Sequence, residues 1–210
     1  DGHGMSAAEL ESAMHLGDRD PLQLRDSEDL GRFGLGLKTA AFSQCWRLTV
    51  LSRDRSLRDA CFCWDLDILK ESTDGEWRLL EGPDEGSQKR LEHLPSGRSG
   101  TLVLWEMLDR LVPLGSNEQD FLNVIDRIER HLAMVFHRYL SGAVARLIIR
   151  INGKPISPWN PFYAGASAPA WASPSERMNA AHSDCEVQGF VLPHRDRLTK
   201  TEYDLAAGIN

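Results

Sequence analysis

The chain has 210 residues, of which 41% are hydrophobic, enough for one well-packed domain or for one domain and the start of a second. Its formal net charge of −7 argues against a general nucleic-acid clamp, because such a clamp needs a basic face to displace counterions from phosphates. No apolar run approaches the roughly 20 residues that are needed to cross a membrane.

The first half of the chain predicts helices and strands in an irregular order. Ser6 and Glu9 have capping-box spacing and begin a short helix, which Gly17 ends. Residues 18–33 are polar and contain several turn formers, which predicts a long loop. A glycine-rich stretch then leads into a helix that reaches residue 45. Strands are predicted over residues 46–52, 57–68, 76–80 and 100–107, with a polar loop over residues 82–99.

The second half begins with the longest predicted helix. Ser116 and Gln119 can form its capping box, an apolar stripe runs from Phe121 to Tyr139, and Gly142 ends it. Residues 145–151 predict a strand, and the Asn-Gly pair that follows predicts a hairpin turn. The Pro-, Ala-, Ser- and Gly-rich stretch over residues 157–184 predicts a linker, and residues 186–197 predict the opening strand of a second domain.

The order of these elements lacks the regular alternation of parallel α/β folds. It favours the α+β class, with helices on one face of a mainly antiparallel sheet in a two-layer sandwich. The cysteines have no CxxC pair, which predicts reduced core thiols in a cytoplasmic protein. They are Cys45, Cys61, Cys63 and Cys185.

A glycine-rich cluster, Gly-Arg-Phe-Gly-Leu-Gly-Leu-Lys-Thr over residues 31–39, has the composition of a phosphate-binding loop. Glycines before a helix let the backbone approach a ligand closely, and the free N–H groups at the helix start attract phosphate oxygens. Lys38 would add a positive charge in the first helical turn. The cluster is not a Walker A loop, because Leu37 and not lysine follows Gly36. A plain glycine turn before a helix is the alternative.

The cluster at the start of the chain, Asp-Gly-His-Gly-Met, could recognise a base. The carboxylate of Asp1 could accept a hydrogen bond from the adenine amino group. Gly2 and Gly4 leave room for a flat ring, and Met5 offers it a flexible apolar surface. The alternative is a simple Asp-Gly turn before the first helix. A third cluster, Gly-Thr with Thr101, stands at the start of a predicted strand.

Together, these three clusters closely resemble the motifs of the GHKL ATPases, which include gyrase B, the ninety-kilodalton heat-shock chaperones, sensor histidine kinases, MutL and the MORC proteins. The resemblance implies a Bergerat-type ATP-binding domain over residues 1–152, a linker over residues 153–184 and the beginning of a transducer-like domain over residues 185–210. Residues 18–33 would be the ATP lid.

Two features resemble the chaperone and MORC branch of the family more than its other branches. They are the Phe-Gly-x-Gly-x-Lys form of the second cluster and the 65 positions that separate Gly36 from Thr101. The stretch over residues 31–53 is also similar to uncharacterised bacterial ATP-binding proteins, some of which accompany DNA-defence systems. The resemblance therefore leaves DNA-associated partners open, besides ATP, ADP and a second copy of the protein in an ATP-bound homodimer.

The resemblance also implies which residues bind ATP. The first cluster and Thr101 would hold the adenine, and the second cluster would hold the phosphates. The expected binding residues are Asp1, Gly2, Gly4, Met5, Gly31, Phe33, Gly34, Leu35, Gly36, Leu37, Lys38, Thr39 and Thr101.

No catalytic residue or metal ligand is identified within residues 1–210, because the family's general-base glutamate and Mg²⁺-binding asparagine precede the adenine aspartate. The chain is expected to be truncated there and to bind nucleotide with turnover near background. Two alternatives stay open at this point: a nucleotide-sensing module without turnover, and a histidine kinase catalytic domain.

Overall fold

The computed structural model of this chain describes residues 2–15, 17, 35–73, 76–111, 113, 115–142, 147–163, 170–180 and 183–207. The chain divides into two compact units, Asp1–Ser116 and Asn117–Asn210. The domain boundaries expected after residues 152 and 184 stay a prediction. Among the described helices, none combines the length and the hydrophobicity that crossing a bilayer requires.

An antiparallel sheet organises the first unit. Its described strands are β1 (Arg47–Arg53), β2 (Asp59–Asp65), β3 (Leu80–Glu81) and β4 (Gly100–Glu106), in the order β3-β2-β1-β4. The described helices of this unit are α1 (Ala7–Met14), α2 (Gly36–Phe42), α3 (Leu66–Glu71) and α4 (Gln88–Leu91). Because helices combine here with a purely antiparallel sheet, the predicted α+β class is confirmed.

The helix α1 begins where the sequence predicts. The Ser6 side chain accepts a hydrogen bond from the backbone N–H of Glu9, and the Glu9 carboxylate accepts one from the Ser6 N–H at 2.8 Å. Leu10 and Met14 are fully buried, α1 contacts β2, and α2 contacts β1. Each such buried side chain contributes about 1.5–3 kcal/mol of hydrophobic stabilisation. The main core cluster consists of Leu10, Met14, Ala41, Cys45, Leu48, Val50 and Trp64.

The opposite face of the sheet is buried as well. Thr49 and Cys63 face each other across β1 and β2 on this side, and both are at most 2% exposed. The predicted loop over residues 82–99 contains α4, and the side chains of Ser87 and Arg90 donate hydrogen bonds to the Glu106 carboxylate of β4. The loop is therefore fixed to β4 by side-chain hydrogen bonds that its polar composition does not predict.

Two of the predicted strands are shorter than the sequence suggests. The strand predicted over residues 57–68 ends at Asp65, whose carboxylate accepts hydrogen bonds from the N–H groups of Asp67 at 2.9 Å and Ile68 at 3.4 Å. Asp65 thereby becomes the N-cap of α3, which overrides the strand pattern of the next three residues. Of the strand predicted over residues 76–80, only Leu80 belongs to β3.

The cysteines carry free thiols. Cys45 and Cys63 are buried and Cys61 is half-buried, as expected for core residues, whereas Cys185 is exposed and is not a core thiol. Burial raises the pKa of the Cys45 and Cys61 thiols to about 11, because a thiolate is poorly solvated inside the protein.

The second unit begins with α5 (Glu118–Val135), which is followed by α6 (His137–Leu140). The prediction that Ser116 and Gln119 form the capping box was wrong by one residue: Asn117 and Asp120 form it, with both hydrogen bonds at 3.0 Å. Ser116 instead donates its N–H to the Pro113 carbonyl in the preceding turn, at 3.0 Å. The single predicted helix is interrupted at Phe136, which has non-helical backbone angles.

The Asn-Gly pair forms the predicted hairpin turn between β5 (Arg150–Ile151) and β6 (Lys154–Pro155). Asn152 has φ of 49° and Gly153 has φ of 80°, as a type I′ turn requires. Of the strand predicted over residues 145–151, positions 145 and 146 lie outside the described residues, and the strand occupies only the last two positions.

The end of the chain has more regular structure than its composition suggests. β7 (Trp171–Ala172) pairs with β10 (Phe190–Val191), and β8 (Glu176–Ala180) pairs with β9 (Ser183–Val187). A short 3-10 helix (Arg195–Arg197) and α7 (Lys200–Ala207) follow. The stretch predicted as a linker therefore contains β7, β8 and the start of β9.

Candidate functional site

Nine of the predicted binding residues lie within the described part of the chain. The remaining four, and the predicted lid over residues 18–33, lie outside it. The described ones are Gly2, Gly4, Met5, Leu35, Gly36, Leu37, Lys38, Thr39 and Thr101. The others are Asp1, Gly31, Phe33 and Gly34. The binding roles of all thirteen stay predictions, but the geometry around the described ones can be stated.

Residues 2–5 form a loop, here named the N-terminal loop, that lies against the end of β1. Gly4 has φ of 65°, and a Cβ atom at this position would stand 1.7 Å from the carbonyl oxygen of Arg53. Ser99 donates a hydrogen bond from its hydroxyl to the Gly2 carbonyl at 2.8 Å. Glycine is therefore required at position 4 for two reasons, the left-handed backbone angle and the close approach of two main-chain segments.

A buried hydroxyl joins the first and third motifs. The Met5 N–H donates to Ser52 Oγ at 2.8 Å, and Ser52 Oγ lies 2.8 Å from Thr101 Oγ1, so that the two hydroxyls share a hydrogen bond. Ser52 is fully buried, and it faces Thr101 across the β1–β4 pair. The structure thus brings Met5 and Thr101 together through Ser52, which sequence reasoning missed.

The helix α2 places the second motif beside the end of α1. Lys38 is only 2% exposed, and its ammonium donates hydrogen bonds to the carbonyl oxygens of Ala13 at 2.8 Å and His15 at 2.7 Å. The Trp64 indole N–H donates to the carbonyl of Met14, between these two, at 3.0 Å. Lys38 therefore satisfies carbonyls at the end of α1 and fixes α1 to α2, while its contact with phosphate stays a prediction.

The start of α2 has no side-chain cap among the described residues. Leu35 occupies the N-cap position, and a Cβ atom added at Gly36 would meet none of the described atoms within 4 Å. Leu37 packs against the main core, and the Thr39 hydroxyl donates to the Leu35 carbonyl at 2.9 Å. A close ligand at this helix start would meet backbone N–H groups and no side chain at position 36.

An ion pair and a hydrogen-bond contact hold two arginines next to the N-terminal loop. Arg53 pairs with Asp59 at 2.5 Å, and its hydrogen bond lowers the pKa of the Asp59 carboxyl below its usual value. The Arg55 guanidinium lies 2.8 Å from His3 Nδ1. In the described part of the chain, no three His, Cys, Asp or Glu side chains are grouped closely enough to hold a metal ion.

Comparison with known families adds one finding to this geometry. Residues 1–101 match the profile of the family described as histidine kinase-, DNA gyrase B-, and HSP90-like ATPase. No curated protein matches the chain. The matched stretch includes all three motifs, together with Ser52, the whole of β1 and the first two residues of β4.

Proposed function

Because residues 1–101 belong to the GHKL ATPase superfamily, we propose that this chain binds ATP and ADP between the N-terminal loop, the β1–β4 pair and the start of α2. The observation that carries the proposal is the hydrogen-bonded chain from Met5 through Ser52 to Thr101. This chain of hydrogen bonds joins the motif that is expected to recognise the base to the threonine that is expected beside it. Met5 and Thr101 are 96 positions apart in the sequence.

The chemistry of these groups suits an adenine base. A base needs a flat apolar surface and a few fixed polar groups at its edge. Met5 is half-buried beside the core, and the Thr101 hydroxyl is held from behind by Ser52. Asp1 would accept a hydrogen bond from the amino group, and Thr101 would bond the adjacent ring edge directly or through a water.

The phosphates would lie at the start of α2, near Gly34 and Gly36. The N–H groups of the first helical turn would donate to phosphate oxygens, and the dipole of the helix would add to their attraction. Mg²⁺ bound with the nucleotide would offset the negative charge of the phosphates. We assign no ligand for it among the described residues.

We further propose that ATP binding drives dimerisation and a conformational change in the protein, as expected for the chaperone and MORC-like branch. A cytoplasmic location is proposed from the cysteine pattern, and a DNA-linked role rests on the resemblance alone. Analytical ultracentrifugation with and without a non-hydrolysable ATP analogue tests the dimer. A sedimentation coefficient that does not change with saturating analogue would exclude it.

The binding proposal is tested with two variants that each lose one hydroxyl from the same sheet. Thr101→Val removes the hydroxyl at the proposed site, whereas Thr49→Val removes a fully buried hydroxyl on the opposite face of β1, where it donates to Cys63 Sγ at 3.3 Å. We expect the dissociation constant of ADP, measured by calorimetry, to rise about threefold to tenfold in Thr101→Val, the value of one hydrogen bond. In Thr49→Val it should change less than twofold.

Turnover is a separate measurement. We expect Mg²⁺-dependent phosphate release by residues 1–210 to stay near background, because no general base or Mg²⁺ ligand is identified in this stretch and each such group contributes a factor of about 10² to 10⁴. No saturable binding of ADP would contradict the proposed function. Robust turnover would leave the binding site intact and would locate a catalytic group within these residues.

A further inference from the structure

We propose that Ser52 is a positioning residue that fixes the direction in which the Thr101 hydroxyl donates its hydrogen, and so selects a nucleotide base with a hydrogen-bond acceptor at the ring edge facing Thr101. This inference rests on the proposed function, because it assumes that a base lies against Thr101. It adds a residue that lies in none of the three motifs, and a reason for base selectivity.

The hydrogen of Ser52 has two candidate acceptors. Its oxygen accepts from the Met5 N–H at 2.8 Å, and this contact has only one direction because an amide N–H can only donate. The Ser52 hydroxyl can then donate either to Thr101 Oγ1 at 2.8 Å or to the Gly100 carbonyl at 3.4 Å. At 3.4 Å the Gly100 carbonyl is a poor acceptor, whereas 2.8 Å is an ordinary length for a hydroxyl hydrogen bond, so we infer that Ser52 donates to Thr101 and not the reverse.

The direction of this bond decides what Thr101 offers a ligand. Thr101 uses a lone pair to accept from Ser52, and its own hydrogen is left to donate outward. A base with a ring nitrogen that carries a lone pair, such as N1 of adenine, can accept it. A base with C–H at that position cannot. If Ser52 instead donated to Gly100, Thr101 would donate inward to Ser52 and could only accept from a ligand.

Burial keeps this arrangement in place. Ser52 is fully buried, so that no water competes for its hydrogen, and its χ1 is held by partners on both sides. Without Ser52, the Thr101 hydroxyl would distribute its hydrogen over three staggered positions, of which one points at the base. The ring-nitrogen contact should then weaken by a factor of about three.

The experiment compares ADP with 1-deaza-ADP, in which C–H replaces N1 and the amino group is retained. Calorimetry gives the dissociation constant of each for the wild type, Ser52→Ala and the control Thr49→Val. The wild type should prefer ADP by about threefold to tenfold. Ser52→Ala should reduce this preference by about threefold. Thr49→Val should keep it, because its hydroxyl lies on the other face of the same strand.

The ratio separates positioning from a merely structural role, because a loosened fold would weaken both ligands equally and leave their ratio unchanged. If Ser52→Ala does not fold, Ser52→Cys replaces it: the thiol fills nearly the same volume but is a weak donor, so the same reduced ratio is expected. An unchanged ratio in the variant that folds overturns this inference alone. The inference alone is also overturned if the wild type binds ADP and 1-deaza-ADP equally well. If the wild type does not bind ADP at all, the proposed function is overturned.

Discussion

Replacing Gly4 with alanine is expected to detach the N-terminal loop from the end of β1. The new Cβ atom would lie 1.7 Å from the Arg53 carbonyl oxygen and 2.5 Å from its carbon, and neither is the end of a flexible side chain. Contacts below 3.0 Å essentially never occur for real Cβ atoms, so the loop would have to move by more than an ångström. The left-handed backbone angle adds about 1–2 kcal/mol for alanine.

The altered loop can either stay in place under strain or detach from β1. The response with the lower free-energy cost sets the loss of stability. Detachment breaks the hydrogen bond from Met5 to Ser52 and the one from Ser99 to Gly2, about 1 kcal/mol each. It also exposes half-buried Met5, which adds about 1 kcal/mol. We therefore expect the free energy of unfolding to fall by about 3 kcal/mol, a large part of the 5–15 kcal/mol of an ordinary domain.

The assay is urea denaturation, with ADP calorimetry on the same samples. Gly82→Ala is the matched control, because Gly82 also has a left-handed angle, φ of 86°, but a Cβ atom there would meet no atom of the described residues within 4 Å. The control should lose only the backbone term of about 1–2 kcal/mol and keep its ADP affinity. Gly4→Ala should lose more stability and most of its affinity. Equal losses of stability in the two variants would refute the close approach of the loop to β1.

Three further predictions concern other parts of the first unit and one exposed thiol. Lys38→Met removes the ammonium that donates to two carbonyls at the end of α1, so the free energy of unfolding should fall by about 2–4 kcal/mol in urea, and an unchanged midpoint and slope would contradict this. At pH 8, a thiol reagent such as Ellman's reagent should modify exposed Cys185 at once and Cys45 only on unfolding. Cys45 is protected because it is 1% exposed and its pKa is raised to about 11. The fast phase of the reaction should therefore vanish in Cys185→Ser. The hydrogen bond from Arg53 lowers the folded pKa of Asp59, so its contribution is present above the ordinary carboxyl pKa near 4 and lost as the pH falls through the lower folded value. The wild type should lose stability in urea between pH 7 and pH 3, and Asp59→Asn should lose about 0.2–1 kcal/mol less, a small difference because the pair is partly exposed. An equal loss in the two proteins would contradict the pairing.

Features that depend on neighbouring residues were predictable from the sequence. The capping box of Ser6 and Glu9 and the Asn-Gly hairpin turn lie where the pattern places them, because each needs only residues within three positions. The prediction was less accurate where two local patterns compete. Asp65 suits both a strand and an N-cap, and the backbone hydrogen bonds of α3 favoured the cap. Ser116 and Asn117 both suit the cap of α5, and the preceding turn uses the N–H of Ser116.

In the candidate site, too, some features were predictable from the sequence and others were not. Its three motifs are visible in the sequence because each joins glycine to a side chain predicted to bind nucleotide, and their order resembles that of the GHKL superfamily. Ser52 has no such signal, since a serine in a strand is common and its partners are 47 and 49 positions away. The buried position of Lys38 was not predictable either, because its acceptors belong to another helix.

The sequence by itself therefore determined the class of fold and the start of α1, and it predicts which residues meet a nucleotide, because short-range geometry and side-chain chemistry set these. Only the tertiary structure decided that Gly4 must be glycine because Arg53 is beside it, that Ser52 links Met5 to Thr101, and that Lys38 holds the end of α1. The physical reason is strand register: pairing β1 with β4 in one alignment brings Ser52 opposite Thr101, and a shift by one residue would turn the Ser52 side chain to the other face.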